Sequence, residues 1–340
     1  MKPVKELRAI GLMPCAHCRW TIPTGLVTFM AVFVPRRLDK YLRDSTALSV
    51  VEIRSACLAR RVAVCTADTP QSIVPAADSL IFENDIVILD GLVIGPRAEH
   101  SYLVFNKPRY VTTTASDPGG RADLGPWLRQ MPNGVFPVGR LDRETSGALL
   151  FTDDGDFSNA ILQPNHHTHK LYWLWLDEHL TDDDPRLLTL VSGVCLDKDS
   201  EPLRAVSATV HHQTSDYTEL HLTLDEGKNR HIRKMCNLVG LRLLQLHRKA
   251  IGSLHIDNLA VGQWRALSAR EVEQLWSSCG GIARVIRTKI AALTQMAKSA
   301  CEAGRSNPRL EIWLKDTVRE IQIEDPQSPE RPSHRCSHYF

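Results

Sequence analysis

The chain lacks any stretch long and apolar enough to cross a bilayer. Its longest apolar run, Leu26 to Val34, is interrupted by Thr28, and a spanning helix needs about 20 such residues. A secretory leader is not expected either, because the mildly basic start (Lys2, Lys5, Arg8) leads into a stretch broken by Pro14. The nine cysteines are odd in number and irregular in spacing. That argues against a disulfide framework and for a reducing compartment. Cys15 and Cys18 flank His17, but no second pair follows nearby to complete four zinc ligands, so free thiols are the simpler reading. The sequence also has no nucleophile elbow, no phosphate-binding loop and no internal repeat. Net charge is small, +2, and alone says nothing about a polyanionic partner.

The distribution of charge says more. From Thr66 to Gly95 there is no Lys or Arg, against five acidic residues. Between Arg36 and Cys65 stand seven basic residues (Arg36, Arg37, Lys40, Arg43, Arg54, Arg60, Arg61) against three acidic. Between Glu226 and Lys249 stand seven more (Lys228, Arg230, Arg233, Lys234, Arg242, Arg248, Lys249) against one. A single basic run is usually a solvated helix face. Two concentrated runs in a near-neutral chain suit a face that binds a polyanion equally well.

A length of 340 residues, with 43% apolar and 24% charged residues, suits about two globular domains with appendages. Residues 1–35 read as an irregular extension punctuated by Pro14, Pro23, Gly25 and Pro35. Residues 36–97 read as a small α+β module. Leu38, Tyr41 and Leu42 share one helical face, and a second helix from about Val51 to Arg60 turns Ile53, Ala56 and Cys57 inward and Arg54 and Arg61 outward. Ser49 with Glu52 has the form of a capping box. Strands are expected at Val62–Val64 and Asp85–Leu89, the latter before an Asp90-Gly91 turn.

Residues 101–279 read as a larger domain. Strands are expected at Tyr102–Asn106, Ala148–Thr152, Leu171–Leu176, Ala205–His212 and Glu219–Leu224, and a helix from Arg230 to Leu238 closed by Gly240. Strands and helices that do not strictly alternate favour an α+β fold with a mixed, largely antiparallel sheet. Residues 280–340 read as a C-terminal extension, helical from Arg284 to Ala300 and disordered from Asp325.

The sharpest segment runs from Phe136 to Gly155. A Gly139-Arg140-Leu141-Asp142 loop meets a Thr145-Ser146-Gly147 turn and then an apolar strand. A carboxylate at the mouth of a buried strand needs a partner or a task, although a lone Asp is usually a turn or cap residue. This segment resembles the catalytic-aspartate motif of the ribosomal (RsuA-type) pseudouridine synthases. Further segments resemble that family in the same order: Asn106-Lys107-Pro108, Lys170-Leu171-Tyr172, Gly227 to Met235, Leu246-His247-Arg248 with Ile251-Gly252, and Gly262 to Leu267. Residues 36 to about 97 resemble the S-four RNA-binding domain found before it. The family usually has Gln where His231 stands, and the S-four domain usually has Gly where Arg60-Arg61-Val62 turns.

The resemblance implies an isomerase that turns uridine within structured RNA, ribosomal RNA above all, into pseudouridine without a cofactor or metal. It implies Asp142 as the carboxylate acting at the ribose, either as nucleophile or as base. Arg233 is implied as its ionic partner, with Arg230 as fallback, and Tyr172 as the ring that stacks on uracil and takes the carbon 5 proton. Arg140, Lys107, Lys228, Asn229 and Arg230 are expected at RNA, together with Arg36, Arg37, Lys40, Arg54, Arg60 and Arg61. A monomer in the cytoplasm is expected, with large-subunit RNA slightly favoured. Against this stand a non-catalytic RNA-binding or ribosome-assembly factor, which would not need Asp142, Tyr172 and Arg233 together, and an unrelated hydrolase. His166, His167 and His169 invite a metal but have no carboxylate or Cys at ligand spacing. Asp153 to Asp156 reads as a turn and not as a calcium loop.

Overall fold

Apolar spacing and capping set the first elements. Strand β1 (Arg36–Arg37) leads into α1 (Leu38–Ser45), which buries Leu38, Tyr41 and Leu42 as their spacing requires. Helix α2 (Val50–Leu58) begins at Ser49, whose hydroxyl accepts from Glu52 N while the Glu52 carboxylate accepts from Ser49 N. Such a cap contributes about 1 kcal/mol. The computed structural model describes residues 34–46, 48–66, 75–96, 99–163, 168–195, 201–305 and 307–324. The readings made above for residues 1–33, for His166 and His167, and for the tail from Asp325 lie outside those residues.

The chain folds as two units. One comprises Met1–Arg43, Leu48–Gly95 and Ile286–Phe340, and the other Asp44–Ala47 and Pro96–Val285. In the first, β2 (Val62–Cys65), β4 (Ile86–Leu89) and β5 (Leu92–Ile94) form an antiparallel sheet, and β3 (Leu80–Ile81) pairs with β1. Asp90 and Gly91 both have positive φ, 50° and 81°, the conformation a two-residue hairpin turn demands. Arg60 has φ 56°. The turn before β2 therefore takes a left-handed residue, which explains why glycine suits it and what Arg60 costs there. The C-terminal segment is not an independent appendage. Helices α8 (Gly281–Glu302) and α9 (Pro308–Glu324) supply Ile290, Leu310 and Leu314 to a core that also takes in Leu80 and Phe82. Arg309 pairs with Asp85 at 2.7 Å and lies over the Phe82 ring. Among its described side chains, helix α9 brings Leu310, Leu314 and the partly buried Trp313 to this core.

In the second unit a nine-stranded sheet runs β10 (Ser207–Gln213), β11 (Thr218–Leu224), β9 (Lys170–Leu176), β12 (Leu243–Ile251), β8 (Thr145–Thr152), β6 (Tyr102–Lys107) and β14 (Trp264–Ala266). Short strands β13 (Leu254–His255) and β7 (Phe136–Pro137) pair with β12 and β8. All pairings are antiparallel except β12 with β8. The fold is thus α+β with a mixed, largely antiparallel sheet.

Strand β8 is buried along its whole length, because both sheet faces are covered there. Leu149 and Phe151 join one core with Phe105, Leu174, Leu222 and the Ile232 and Met235 side chains of α6 (His231–Leu238). Ala148 and Leu150 join another with Phe157 and Ile161 of α4 (Gly155–Leu162) and Leu275 of α7 (Ala269–Ser278). Each large apolar side chain buried in this way contributes about 1.5–3 kcal/mol. Asp154, expected in a turn, is in fact the N-cap of α4, accepting from Asp156 N and Phe157 N. Two short helices, α3 (Gly125–Leu128) and α5 (Pro185–Ser192), complete the unit. No helix among the described residues is long and apolar enough to cross a membrane.

Candidate active site

Asp142 lies in the loop between β7 and β8, and the loop is tied at both ends. Thr113 Oγ1 donates to Leu141 O at 2.6 Å, and Thr145 N donates to Asp142 O at 3.0 Å. The Asp142 side chain is 27% exposed, at the edge of the core. Arg233 reaches it from the first turn of α6, with Nε 3.7 Å from Oδ2 and Nη2 donating to Thr145 Oγ1 at 3.2 Å. At 3.7 Å the pair is an ionic contact and not a hydrogen bond. Burial pulls the Arg233 guanidinium below its usual range while Asp142 and Glu144 support its charge. Arg230, the fallback, takes φ 51° ahead of α6 and meets Glu144 at 3.3 Å on the exposed surface.

Strand register brings the remaining groups to the same sheet face. Lys107 pairs with Gly147, Gly147 with Arg248, and Arg248 with Tyr172. Two strand spacings, roughly 10 Å, therefore separate Tyr172 from Gly147, in the turn that follows Asp142. Tyr172 is buried in the core beside Leu174. Gly147 has φ 109°, and a Cβ there would lie 2.2 Å from Arg248 O, so the approach of β12 requires the glycine of the Thr-Ser-Gly turn.

This chain's sequence matches the model of the RNA pseudouridylate synthase family over residues 101–238. It is 32% identical over 197 residues to ribosomal large subunit pseudouridine synthase B of Bacillus subtilis, covering 56% of this chain and 78% of that protein. The chain belongs to the RNA pseudouridine synthases. It is an isomerase that acts on uridine in RNA. An uncharacterized RNA pseudouridine synthase of Aquifex aeolicus is 31% identical over 199 residues, 58% of this chain and 78% of that protein. Ribosomal small subunit pseudouridine synthase A of Yersinia pestis is 29% identical over 241 residues, 69% and 96%.

Some of the expected RNA contacts of this synthase are placed otherwise. Lys107 is fully buried, its Nζ donating to Pro108 O at 2.9 Å and Val111 O at 2.7 Å, so it braces the Asn-Lys-Pro turn and does not reach a phosphate. Strand β6 is buried on both faces after Tyr102, which encloses Lys107 at its end. Arg61 pairs with Asp90 and Arg37 with Asp39, each through two hydrogen bonds, and both arginines stay about half exposed. Arg140, Lys228, Asn229 and Arg230 are exposed, with Lys228 3.1 Å from Glu226. In the first unit, Arg37, Arg54 and Arg60 line one open cleft of about 610 Å³ with Cys57, Leu58 and residues 75–78, whereas Arg36, Lys40 and Arg61 do not line it.

Other residues at the site carried no expectation of a role. Arg248, counted above in the second basic run, is 5% exposed; it alternates with Leu246 on β12, and a register shift after it pairs Ala250 with Leu171. Tyr110 is exposed, has φ 64°, and accepts Arg109 and Arg143 over its ring at 5.1 and 5.4 Å. Its amide donates to Arg143 O at 2.6 Å, beside Asp142. His231, where the family has Gln, is buried and its imidazole is pushed toward the neutral form by burial. Away from this face, the ligand atoms of His211, Glu219 and His221 lie within 4.8 Å of one another. The two imidazoles stack, and His221 Nε2 already meets Glu219 Oε1 at 2.9 Å.

Two buried lysines make folding stability depend on pH. Burial brings both Lys107 and Lys170 down to about 8, although Asp142 and Glu144 favour the charged form of Lys107. An unfolded lysine titrates at about 10.4. Between these values the unfolded chain binds more protons than the folded one, so stability rises with pH there. Above pH ~9 buried thiols oppose the trend, since the Cys236 thiol is pushed up to about 12 and an unfolded thiol ionises near 8.5. Melting temperatures are therefore expected to climb from about pH 8 to pH 9 and to climb less in Lys107→Met. A flat or falling profile in the parent protein would contradict this.

Proposed function

We propose that this synthase isomerises a specific uridine in structured ribosomal RNA, with Asp142 acting at the ribose, Arg233 pairing with that carboxylate and Tyr172 stacking on the uracil. The observation that carries the reading is the ion pair of Asp142 with Arg233 at the end of β8, on the sheet face that carries Tyr172. A guanidinium beside a carboxylate favours its charged form, which both the nucleophilic and the basic role require. The target base must leave its stack to reach this face, at a cost of a few kcal/mol that is least in loops and bulges. The printed names of the Bacillus and Yersinia relatives support ribosomal RNA. Large-subunit RNA is tested first, and a monomer in the cytoplasm is the expected state. Mapping pseudouridines in ribosomal RNA from cells with and without this gene tests the reading; identical maps would overturn it.

Tyr172→Phe is expected to bind RNA as the parent does and to stall once the glycosidic bond has broken. Single-turnover rates check this, and a parental rate would leave the hydroxyl without a chemical role.

The reading of residues 36–97 as an S-four RNA-binding module is supported by the basic cleft lined by Arg37, Arg54 and Arg60. Each phosphate neutralised contributes about 0.7–0.9 to the slope of log affinity against log salt. Replacing the three arginines with alanine is expected to lower that slope by about 2 and to leave the catalytic unit folded. An unchanged slope in a binding titration would remove the cleft from the RNA interface.

A further inference from the structure

Four cations are buried or largely covered on the strands and the helix that form the site. Lys107 is fully buried, Lys170 and Arg248 nearly so, and Arg233 is mostly covered. Arg248 is held in the row between Gly147 and Tyr172. Its Nε donates to Ala148 O at 2.7 Å, and its Nη1 stands 3.5 Å from Tyr172 Oη. Its Nη2 is buried and has no partner. A buried charged donor without an acceptor is costly, and native proteins keep few of them. Arg248 pairs in register with Gly147, in the Thr-Ser-Gly turn that follows Asp142.

We propose that Arg248 Nη2 donates to a carbonyl oxygen of the target uracil and stabilises the base while it is detached as an anion. This rests on the reading of the site given above. When the bond from C1′ to N1 breaks, its electron pair leaves with the uracil and spreads over N1, O2 and O4. Asp142 either bonds to C1′ or removes the neighbouring ribose proton, and in both cases the base departs carrying that pair. A fixed cationic donor is worth most where such charge develops. A half-turn of uracil about the line from N3 to C6 exchanges N1 with C5 and O2 with O4. One stationary donor therefore meets a carbonyl oxygen both before and after the turn. The base then uses its electron pair to join C5 to C1′, releasing the Asp142 oxygen or restoring the ribose proton. C5 finally loses its proton and N1 gains one, so the sum is an isomerisation. Arg248 loses no proton at any stage.

The test uses full-length Arg248→Gln and Arg248→Lys with RNA carrying either uridine or 5-fluorouridine at the target position. Fluorine withdraws electrons and makes the base a better leaving group, so it reduces the need for the donor. Loss of the original nucleoside is read in single-turnover digests. Arg248→Gln is expected to slow the uridine reaction by about 10²–10³-fold, the usual effect of removing one such donor. Its RNA affinity is expected to stay near that of the parent, and its slowdown on 5-fluorouridine to be at least about tenfold smaller. Equal slowdown on both bases would mean a packing role only, and a parental rate on uridine would end the proposal. Should Arg248→Gln fail to fold, Arg248→Lys, which keeps the charge without the planar fork, carries the same comparison of bases. Asp142→Asn is run beside them. If it turns over, the reading of the site falls; if it is dead while Arg248→Gln keeps the parental rate, only this inference falls.

Discussion

Purified Asp142→Asn is expected to form no measurable pseudouridine, a loss of at least about 10⁴-fold in single-turnover rate, as when the central group of a catalytic unit is removed. The substitution keeps the shape of the side chain and removes its charge. The loop geometry should survive, because it depends on Thr113 Oγ1 with Leu141 O and on Thr145 N with the Asp142 carbonyl, neither of which involves the carboxylate. RNA affinity is expected to change by no more than about threefold, since the basic surfaces that would grip phosphate are untouched. The measurement pairs a rate on a defined RNA with a binding isotherm on the same RNA. Turnover retained in Asp142→Asn would remove the carboxylate from the mechanism, and joint loss of binding and rate would show that the substitution disturbed the loop.

Arg233→Ala is expected to lose most activity and also stability, whereas Arg230→Ala should weaken RNA binding but keep its melting temperature and its rate once bound. Arg233 is largely covered, faces Asp142 and donates to Thr145 Oγ1. Its removal leaves a partly buried carboxylate without its counter-charge and a hydroxyl without its donor, costing about 1–3 kcal/mol. Arg230 pairs with Glu144 where both side chains are well exposed, and such pairs contribute about 0–1 kcal/mol. Arg233→Lys should recover the charge and part of the rate but not the planar fork. Melting curves and single-turnover rates of the two alanine variants decide between them. If Arg230→Ala is the variant that melts early and fails to turn over, the assignment within this segment is reversed.

Much of this protein is legible in one dimension. Helical spacing placed Leu38, Tyr41 and Leu42 in a core, Ser49 with Glu52 announced a helix start, and strand-like segments marked the strands that became β6, β8, β9 and β11. The Gly-Arg-Leu-Asp and Thr-Ser-Gly segment pointed to a candidate site through its resemblance to the pseudouridine synthase motif, since a lone Asp before a strand is usually a turn or cap residue. These features are local, carried by residues within a few positions of one another, so sequence alone determines them. What only the tertiary structure decided is which charges are partnered. The parallel entry of β12 beside β8 sets Arg248 between Gly147 and Tyr172, and no local signal specifies that pairing. Lys107, which looks like a phosphate ligand in a list of basic residues, is committed to backbone carbonyls. The helices after Ile286 read as an appendage because their partners, Leu80, Phe82 and Asp85, lie some two hundred residues earlier. Whether a cation is exposed, and what it faces, depends on contacts distant in the chain, and burial of such groups is governed by those contacts.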